Sequence, residues 1–138
     1  MKKIFIDTNI VIDLLSRREL FFEEAAALFS LADTKQIELA VSSLTIANTS
    51  YTLLRQMDSS KTKQILRKLK LIVKVLPLDD KIIDLALNDD TFSDFEDALQ
   101  YFTAIENGQE IIITRNLKDF KNSKIPTMTA KQFITSLQ

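Results

Sequence analysis

Met1-Lys-Lys-Ile-Phe-Ile-Asp-Thr-Asn9 is the stretch that decides the fold of this chain of 138 residues. Ile4, Phe5 and Ile6 form a short apolar run with no turn residue. Such a run suits a strand buried on both faces, as at the centre of a parallel sheet. Asp7 follows at once. A carboxylate at the C-terminal end of a central parallel strand lies where open α/β sheets bind ligands. Thr8 or Asn9 then caps a helix through Ile10–Leu15, or Asp7 is itself the cap.

Working outward, strands and helices alternate. Phe22 to Ala32 reads as a helix, with Phe22, Ala25, Ala26, Phe29 and Ala32 on one stripe. Ile37 to Val41 reads as a second strand, and Ser42 or Ser43 caps a helix through Leu44, Ala47, Tyr51 and Leu54. After Asp58-Ser-Ser60 a basic helix runs to about Lys70, and Leu71 to Leu76 is a third strand stopped by Pro77. Asp79 or Asp80 opens a helix through Ile82, Ile83, Ala86 and Leu87. Ser93-Asp-Phe-Glu96 has the spacing of a capping box, opening a helix to Asn107, with the only glycine, Gly108, as its C-terminal cap. Glu110 to Thr114 is a fourth strand, a short fifth lies near Pro126 to Met128, and Thr129 caps a last helix, Ala130 to Leu137. This alternation predicts one α/β domain with a parallel sheet and right-handed crossovers.

Composition narrows the chemistry. The hydrophobic fraction of 46% and charged fraction of 27% are those of a globular domain. No apolar stretch approaches the roughly 20 residues of a membrane helix, and Lys2-Lys3 precede too short a run for a signal peptide, so a cytoplasmic location is expected. The chain has no cysteine and no histidine. That excludes disulfides, thiolate sites, a Ser-His-Asp triad and a His-ligated zinc. A bound metal must be held by oxygen, which favours magnesium, manganese or calcium. The net charge is −1, but from Ser59 to Leu78 there are six basic residues and no acid, and from Asp79 to Asp97 eight acids and one base. Separate zones of this kind suit a polyanion at one and a cation at the other, or ordinary solvated helix faces.

In a parallel sheet the residues just after each strand gather on one edge. Three clusters of acids or amides fall there: Asp7 with Asn9, Asp94 with Asp97, and Asn116 with Asp119. Asp94 and Asp97 are three apart and share a helix face, continued by Tyr101, while Phe95, Leu99 and Phe102 form the expected core stripe. Glu96 is expected to complete the capping box, and Asp97 to lie a full turn in, beyond the cap positions. Clustered carboxylates repel, and a divalent cation relieves this, lowers the pKa of a bound water and stabilises a phosphoryl transition state. Metal-assisted phosphodiester hydrolysis is the reaction that best uses such a cluster beside basic surface.

The motifs resemble the PIN domain, the nuclease fold of VapC-type toxins in bacterial toxin–antitoxin pairs. The resemblance lies in Ile4-Phe-Ile-Asp-Thr-Asn9, Val41-Ser-Ser-Leu-Thr-Ile-Ala-Asn48, Asp94-Phe-Glu-Asp-Ala-Leu-Gln-Tyr-Phe-Thr-Ala104 and Ile112-Ile-Thr-Arg-Asn-Leu-Lys-Asp-Phe120, four stretches in order along nearly the whole chain. It implies a three-layer sandwich with a five-stranded parallel sheet between helices, often dimeric. It implies a Mg2+- or Mn2+-dependent endoribonuclease, with Asp7 and Asp97 as the main metal ligands and Asp94 as a supporting acid. Asn116 or Asp119 takes the fourth acidic position, and Thr114 orients neighbouring carboxylates. Asn48 stands where the family usually has a glutamate, so the site lacks one expected charge. The implied partners are an RNA substrate, steered by Lys and Arg of the 61–74 segment or by Arg115 and Lys118, and a small antitoxin. Leu14, Leu15, Leu20, Phe21 and Phe22 offer apolar surface for the latter, or belong to the core.

Two other readings compete. The Asn48 substitution also fits a catalytically weak RNA- or protein-binding module of the same fold. A phosphoryl-accepting receiver domain needs an acid pair after the first strand and an Asp after the third, whereas the third strand here ends Val75-Leu-Pro77. A haloacid-dehalogenase-like phosphatase needs an acid where Asn9 stands.

Overall fold

A computed structural model describes residues 1–138. Five strands, β1 (Lys3–Ile6), β2 (Glu38–Ser42), β3 (Val73–Leu76), β4 (Ile111–Ile113) and β5 (Thr127–Met128), form one sheet in the order β3-β2-β1-β4-β5. Every pairing is parallel, with Phe5 between Ala40 and Ile112. The connections are α1 (Thr8–Leu15), α2 (Phe22–Asp33), α3 (Ser43–Leu54), α4 (Ser59–Ile72), α5 (Asp80–Leu87), α6 (Phe95–Glu106) and α7 (Ala130–Ser136), with a 3-10 turn at Leu117–Phe120.

The central strand is β1, buried on both faces as its apolar run requires. Ile4 and Ile6 pack with Ile10, Val11, Leu28 and Phe133 on one side. Phe5 points the other way, into a second cluster with Ile82, Ala98, Leu99 and Ile112. The sheet is thus the middle of three layers, which is the predicted architecture. None of the helices is long and apolar enough to cross a membrane.

Four boundaries and faces differ from expectation. The α4 helix runs on to Ile72, so β3 begins at Val73 rather than Leu71. Leu66, Leu69 and Ile72 keep helical spacing against the core, while Leu71 is 86% exposed. The cap of α1 is Asp7 itself, neither Thr8 nor Asn9. The cap of α6 is Asp94, whose Oδ1 accepts from the Asp97 N–H at 3.1 Å, so Ser93 and Glu96 form no capping box. This places Asp97 in the first turn of α6, not beyond it. Finally, the buried face of α6 comprises Ala98, Leu99, Gln100, Tyr101, Thr103 and Ala104. Tyr101, expected beside the acids, stacks on Phe92 at 4.8 Å and accepts from the Lys124 N–H, whereas Phe95 is 48% exposed.

An acidic pocket at the carboxyl edge of the sheet

The pocket is built on the end of β1. The Asp7 N–H extends the ladder by donating to Ile113 O at 3.0 Å, which fixes the residue at the sheet edge. Its side chain turns back to cap α1, accepting from the Thr8 N–H at 2.8 Å. The same carboxylate thus caps α1 and lies at the carboxyl edge of the sheet. The other carboxylate oxygen accepts from the Thr114 hydroxyl at 2.8 Å, across from the end of β4. Asn9 donates to the same oxygen at 3.4 Å, and its own carbonyl accepts from the Arg115 N–H.

Beneath Asp7 lies a polar floor that sequence reading missed. Gln100, 1% exposed on α6, directs its amide nitrogen at Thr45 Oγ1 (3.0 Å), Thr8 Oγ1 (3.2 Å) and Asp7 Oδ1 (3.4 Å). The hydroxyls of Thr8 and Thr45 are themselves 2.8 Å apart. Gln100 therefore ties α6 to the starts of α1 and α3. Its carbonyl oxygen is buried with no hydrogen-bond partner. The signal available was an amide set between the apolar Leu99 and Tyr101, one turn after Asp97.

Electrostatics connects the acids. Burial pushes the Asp7 carboxyl above its ordinary value, against the Thr114, Thr8 and Gln100 hydrogen bonds, and the charge of Asp119 adds to the rise. The Asp97 carboxyl is pushed up from 3.8 to about 7, first by burial and then by the charges of Asp94, Asp7, Asp119 and Glu96. Asp7, Asp94, Asp97 and Asp119, remote in sequence, thus share one region. Asn116 lies there too, its N–H donating to Thr114 Oγ1 at 3.0 Å, but it is Asp119 whose charge reaches the other acids. No three of the carboxylates are drawn together into a ready-made metal cage. Asn48, half-buried on α3, donates to Glu96 Oε1 at 2.7 Å, linking α3 to α6; it contacts none of the four aspartates.

Two further expectations change. Arg115 is not free to steer RNA. Its guanidinium binds Asp13 through two nitrogens (2.8 and 3.1 Å) and stacks over the Phe21 ring at 4.1 Å. Asp13 is 1% exposed and also has Arg18 at 3.7 Å, so the pair is a structural link between β4 and α1. The apolar residues of the first connection divide. Leu14 and Leu15 pack against the core, while Leu20 is 79% and Phe21 37% exposed. Those two border a cleft of about 410 Å³ with Ile10, Glu24, Arg115 and Ala130, which none of the pocket acids lines.

A parallel α/β sheet whose carboxyl edge gathers aspartates, with neither histidine nor cysteine beside them, defines a class of proteins with an oxygen-only acidic pocket at β1. The chain belongs to the PIN-domain family: the family model described as a PIN domain matches residues 3–118. The chain is 26% identical over 136 residues to Ribonuclease VapC1 of Aquifex aeolicus (strain VF5), covering 96% of this chain and 93% of that protein. Among solved structures it resembles a toxin–antitoxin complex from Klebsiella pneumoniae (TM-score 0.68, 26% identity, 91% of this chain and 96% of that one). It also resembles DNA-bound VapBC from Salmonella typhimurium (TM-score 0.69, 17% identity, 94% and 99%).

Proposed function

We propose that this protein is a divalent-metal-dependent endoribonuclease and the toxin of a toxin–antitoxin pair. The observation that carries the reading is the coupling of Asp7, Asp97, Asp94 and Asp119 in one pocket at the end of β1. Membership of the PIN-domain family and the likeness to a VapC ribonuclease support it.

The pocket fits a hard cation in its chemistry: its acids offer only oxygens, which Mg2+ and Mn2+ prefer. Asp7 and Asp97 would hold the ion, with Asp94 and Asp119 adding charge. Such an ion supplies positive charge against a phosphate and acidifies water beside it.

The protein's own residues do the rest. Thr114 and Gln100 fix the Asp7 carboxylate by hydrogen bonds from opposite sides. Asp94 caps α6 and so sets where Asp97 projects. Lys61, Lys63, Arg67, Lys68 and Lys70 on α4 and Lys74 on β3 are all exposed and form no ion pair with an acid, leaving cationic surface to hold an RNA backbone. The cleft bordered by Leu20 and Phe21 gives an antitoxin an apolar anchor away from the acids.

The experiment is incubation of the purified protein with structured RNA, with Mg2+ or Mn2+ and with chelator. Cleavage that needs the metal and disappears in Asp7→Asn supports the reading. Cleavage by Asp7→Asn at the parent rate overturns the assignment of Asp7. The absence of a preassembled carboxylate cage favours one alternative, a binding module of the same fold. Calorimetric titration with Mn2+ separates the two, since a module takes up no ion.

A further inference from the structure

We infer that the outward face of α3, centred on Tyr51, is where a second copy of this chain docks, the two α3 helices lying antiparallel about a two-fold axis so that Arg55 of each copy reaches Glu96 of the other. The inference is independent of the metal-dependent reading above.

Helix periodicity sets the face. With about 100° of rotation per residue, Ala47, Asn48, Leu54 and Arg55 lie within about 60° of Tyr51, while Thr45, Thr49 and Leu53, the buried residues of α3, lie on the opposite side. The orientation is fixed from beneath. Thr45 Oγ1 accepts from Gln100 Nε2 at 3.0 Å and lies 2.8 Å from the Thr8 hydroxyl, and Leu53 is 1% exposed. The stripe of Ala47, Tyr51 and Leu54, whose helical spacing ordinarily marks a core face, is thereby turned outward. Tyr51 is 72% and Leu54 46% exposed, and Ala47 is exposed as well. An apolar stripe left in solvent on an otherwise well-packed helix marks a surface that another molecule covers.

Charge identifies the occupant. None of the 12 residues of α3 is charged, whereas α4, next in the chain, carries five cations and no acid. An RNA backbone finds no row of cations on this face, and a strongly acidic or basic peptide finds no matching row of charge. A two-fold interface sets one patch against itself, so any charge at its centre would meet its own like. An uncharged face with a tyrosine in the middle satisfies that condition, and tyrosine is favoured at interface centres. The charges at the two ends of the face are opposite in sign. Arg55, four residues after Tyr51, is exposed and makes neither an ion pair nor a side-chain hydrogen bond. Three residues before Tyr51, Asn48 donates to Glu96 Oε1 at 2.7 Å, and Glu96 Oε2 has no partner. In an antiparallel pair centred on Tyr51, a position four residues after it in one copy falls opposite the position four before it in the other. Arg55 then stands over Ala47 and Asn48 of the second copy, beside the Glu96 that Asn48 holds, and the symmetry makes this pair twice.

The test is sedimentation velocity on the full chain from micromolar to submillimolar concentration, with thermal melting as a check on folding. The parent is expected to approach twice its chain mass of 15.8 kDa. Tyr51→Asp sets two like charges across the axis and should weaken association at least about a hundredfold. Its monomer should melt like the parent's, because the side chain is exposed. Arg55→Glu and Glu96→Arg each set like charges together and should weaken association about tenfold, and the two combined should restore it. Leu71→Asp, at an exposed position of α4, should change nothing. A parent that stays monomeric overturns the inference, and the face belongs to RNA if Tyr51→Asp then weakens RNA binding. A dimer that survives Tyr51→Asp is built elsewhere and overturns it too. Loss in both single variants with no recovery in the double variant refutes the antiparallel register, and the inference with it.

Discussion

Replacing Gln100 by leucine separates the two tasks a buried amide can have. The side chain is 1% exposed, and its Nε2 faces three acceptors at 3.0, 3.2 and 3.4 Å. An amide has two hydrogens, so at most two of these are strong at once. Losing them costs about 1 kcal/mol each. Leucine has nearly the same volume and returns about 1.5–3 kcal/mol through burial of its apolar surface. The substitution also removes the unpartnered Gln100 carbonyl, and Thr8 and Thr45 retain one another at 2.8 Å. Fold stability should therefore change by no more than about 1 kcal/mol, about 2–4 °C in Tm for a chain of this size. Asp7 fares differently, because the Gln100 N–H is one of the few contacts that favour its ionised form. A hydrogen bond to a charged acceptor is worth about 1.5–3 kcal/mol at good geometry, and about 1 kcal/mol is reasonable at this longer separation. That corresponds to a loss in Mn2+ affinity of about fivefold. The loss should be larger in mildly acidic than in alkaline buffer, since proton and cation compete for the same carboxylate. Thermal melting in chelator and calorimetric Mn2+ titration at two pH values read the two effects apart. A large fall in Tm with parent-like Mn2+ affinity would show that Gln100 only braces the core, and the positioning argument would be lost.

Four other outcomes follow from named contacts. In chelator, stability should decline as pH rises from about 4 to about 7, because folded Asp97 keeps a proton (pKa raised from 3.8 to about 7) that the unfolded chain has released. Asp97→Asn should flatten that decline and exceed the parent in stability at alkaline pH, as chemical denaturation will show. Arg115→Met leaves the buried Asp13 carboxylate with only Arg18 at 3.7 Å, and should cost about 3 kcal/mol. Adding Asp13→Leu should recover most of this, which equilibrium unfolding of the double variant measures. Lys63, Arg67 and Lys70 border one shallow groove on α4. Changing all three to alanine should flatten the slope of log affinity for single-stranded RNA against log salt by about 2, with the melting temperature unchanged. Gly108→Ala meets open space but must adopt φ +67°, so denaturation should show a loss of about 1 kcal/mol.

The fold was legible because its signals are local and repeated. The apolar run Ile4–Ile6 reads as a doubly buried strand, and Asp79, one of two caps offered there, and Thr129 each found the backbone N–H their position implied. Where reading by segment failed, packing decided. Leu71 sits among strand formers, yet the helix holds it to Ile72 because Leu66, Leu69 and Ile72 already face the core. At the end of β1, Asp7 had two sequence readings, helix cap or site acid; the structure shows it as the cap, with its second oxygen held by Thr114, which leaves the site reading open to it. The site was legible only in its acids. Arg115 reads as a free cation in sequence, and only its three-dimensional neighbours, Asp13 and Phe21, reveal that it is committed. Gln100 was hidden for a related reason. Its partner Thr45 lies 55 residues away on α3, so the link between the two helices cannot be read within α6.

The same geometry sets the pocket against the stability of the fold. Burial raises both Asp7 and Asp97 above their ordinary range, so folding favours their neutral forms and opposes the ionised forms a cation needs. Hydrogen bonds from Thr114, Thr8 and Gln100 act in the opposite sense on Asp7, which keeps that carboxylate directed and usable. No such set surrounds Asp97, whose neighbours are acids, so its ionisation should be the more strongly coupled to the arrival of positive charge. A divalent ion would then bind together with the loss of a proton from Asp97, and proton release on Mn2+ addition in weakly buffered solution should exceed that of Asp97→Asn. Equal release from both proteins would mean that the cation, if it binds, sits away from Asp97, and the pocket would have to be rebuilt around Asp7 and Asp119 alone.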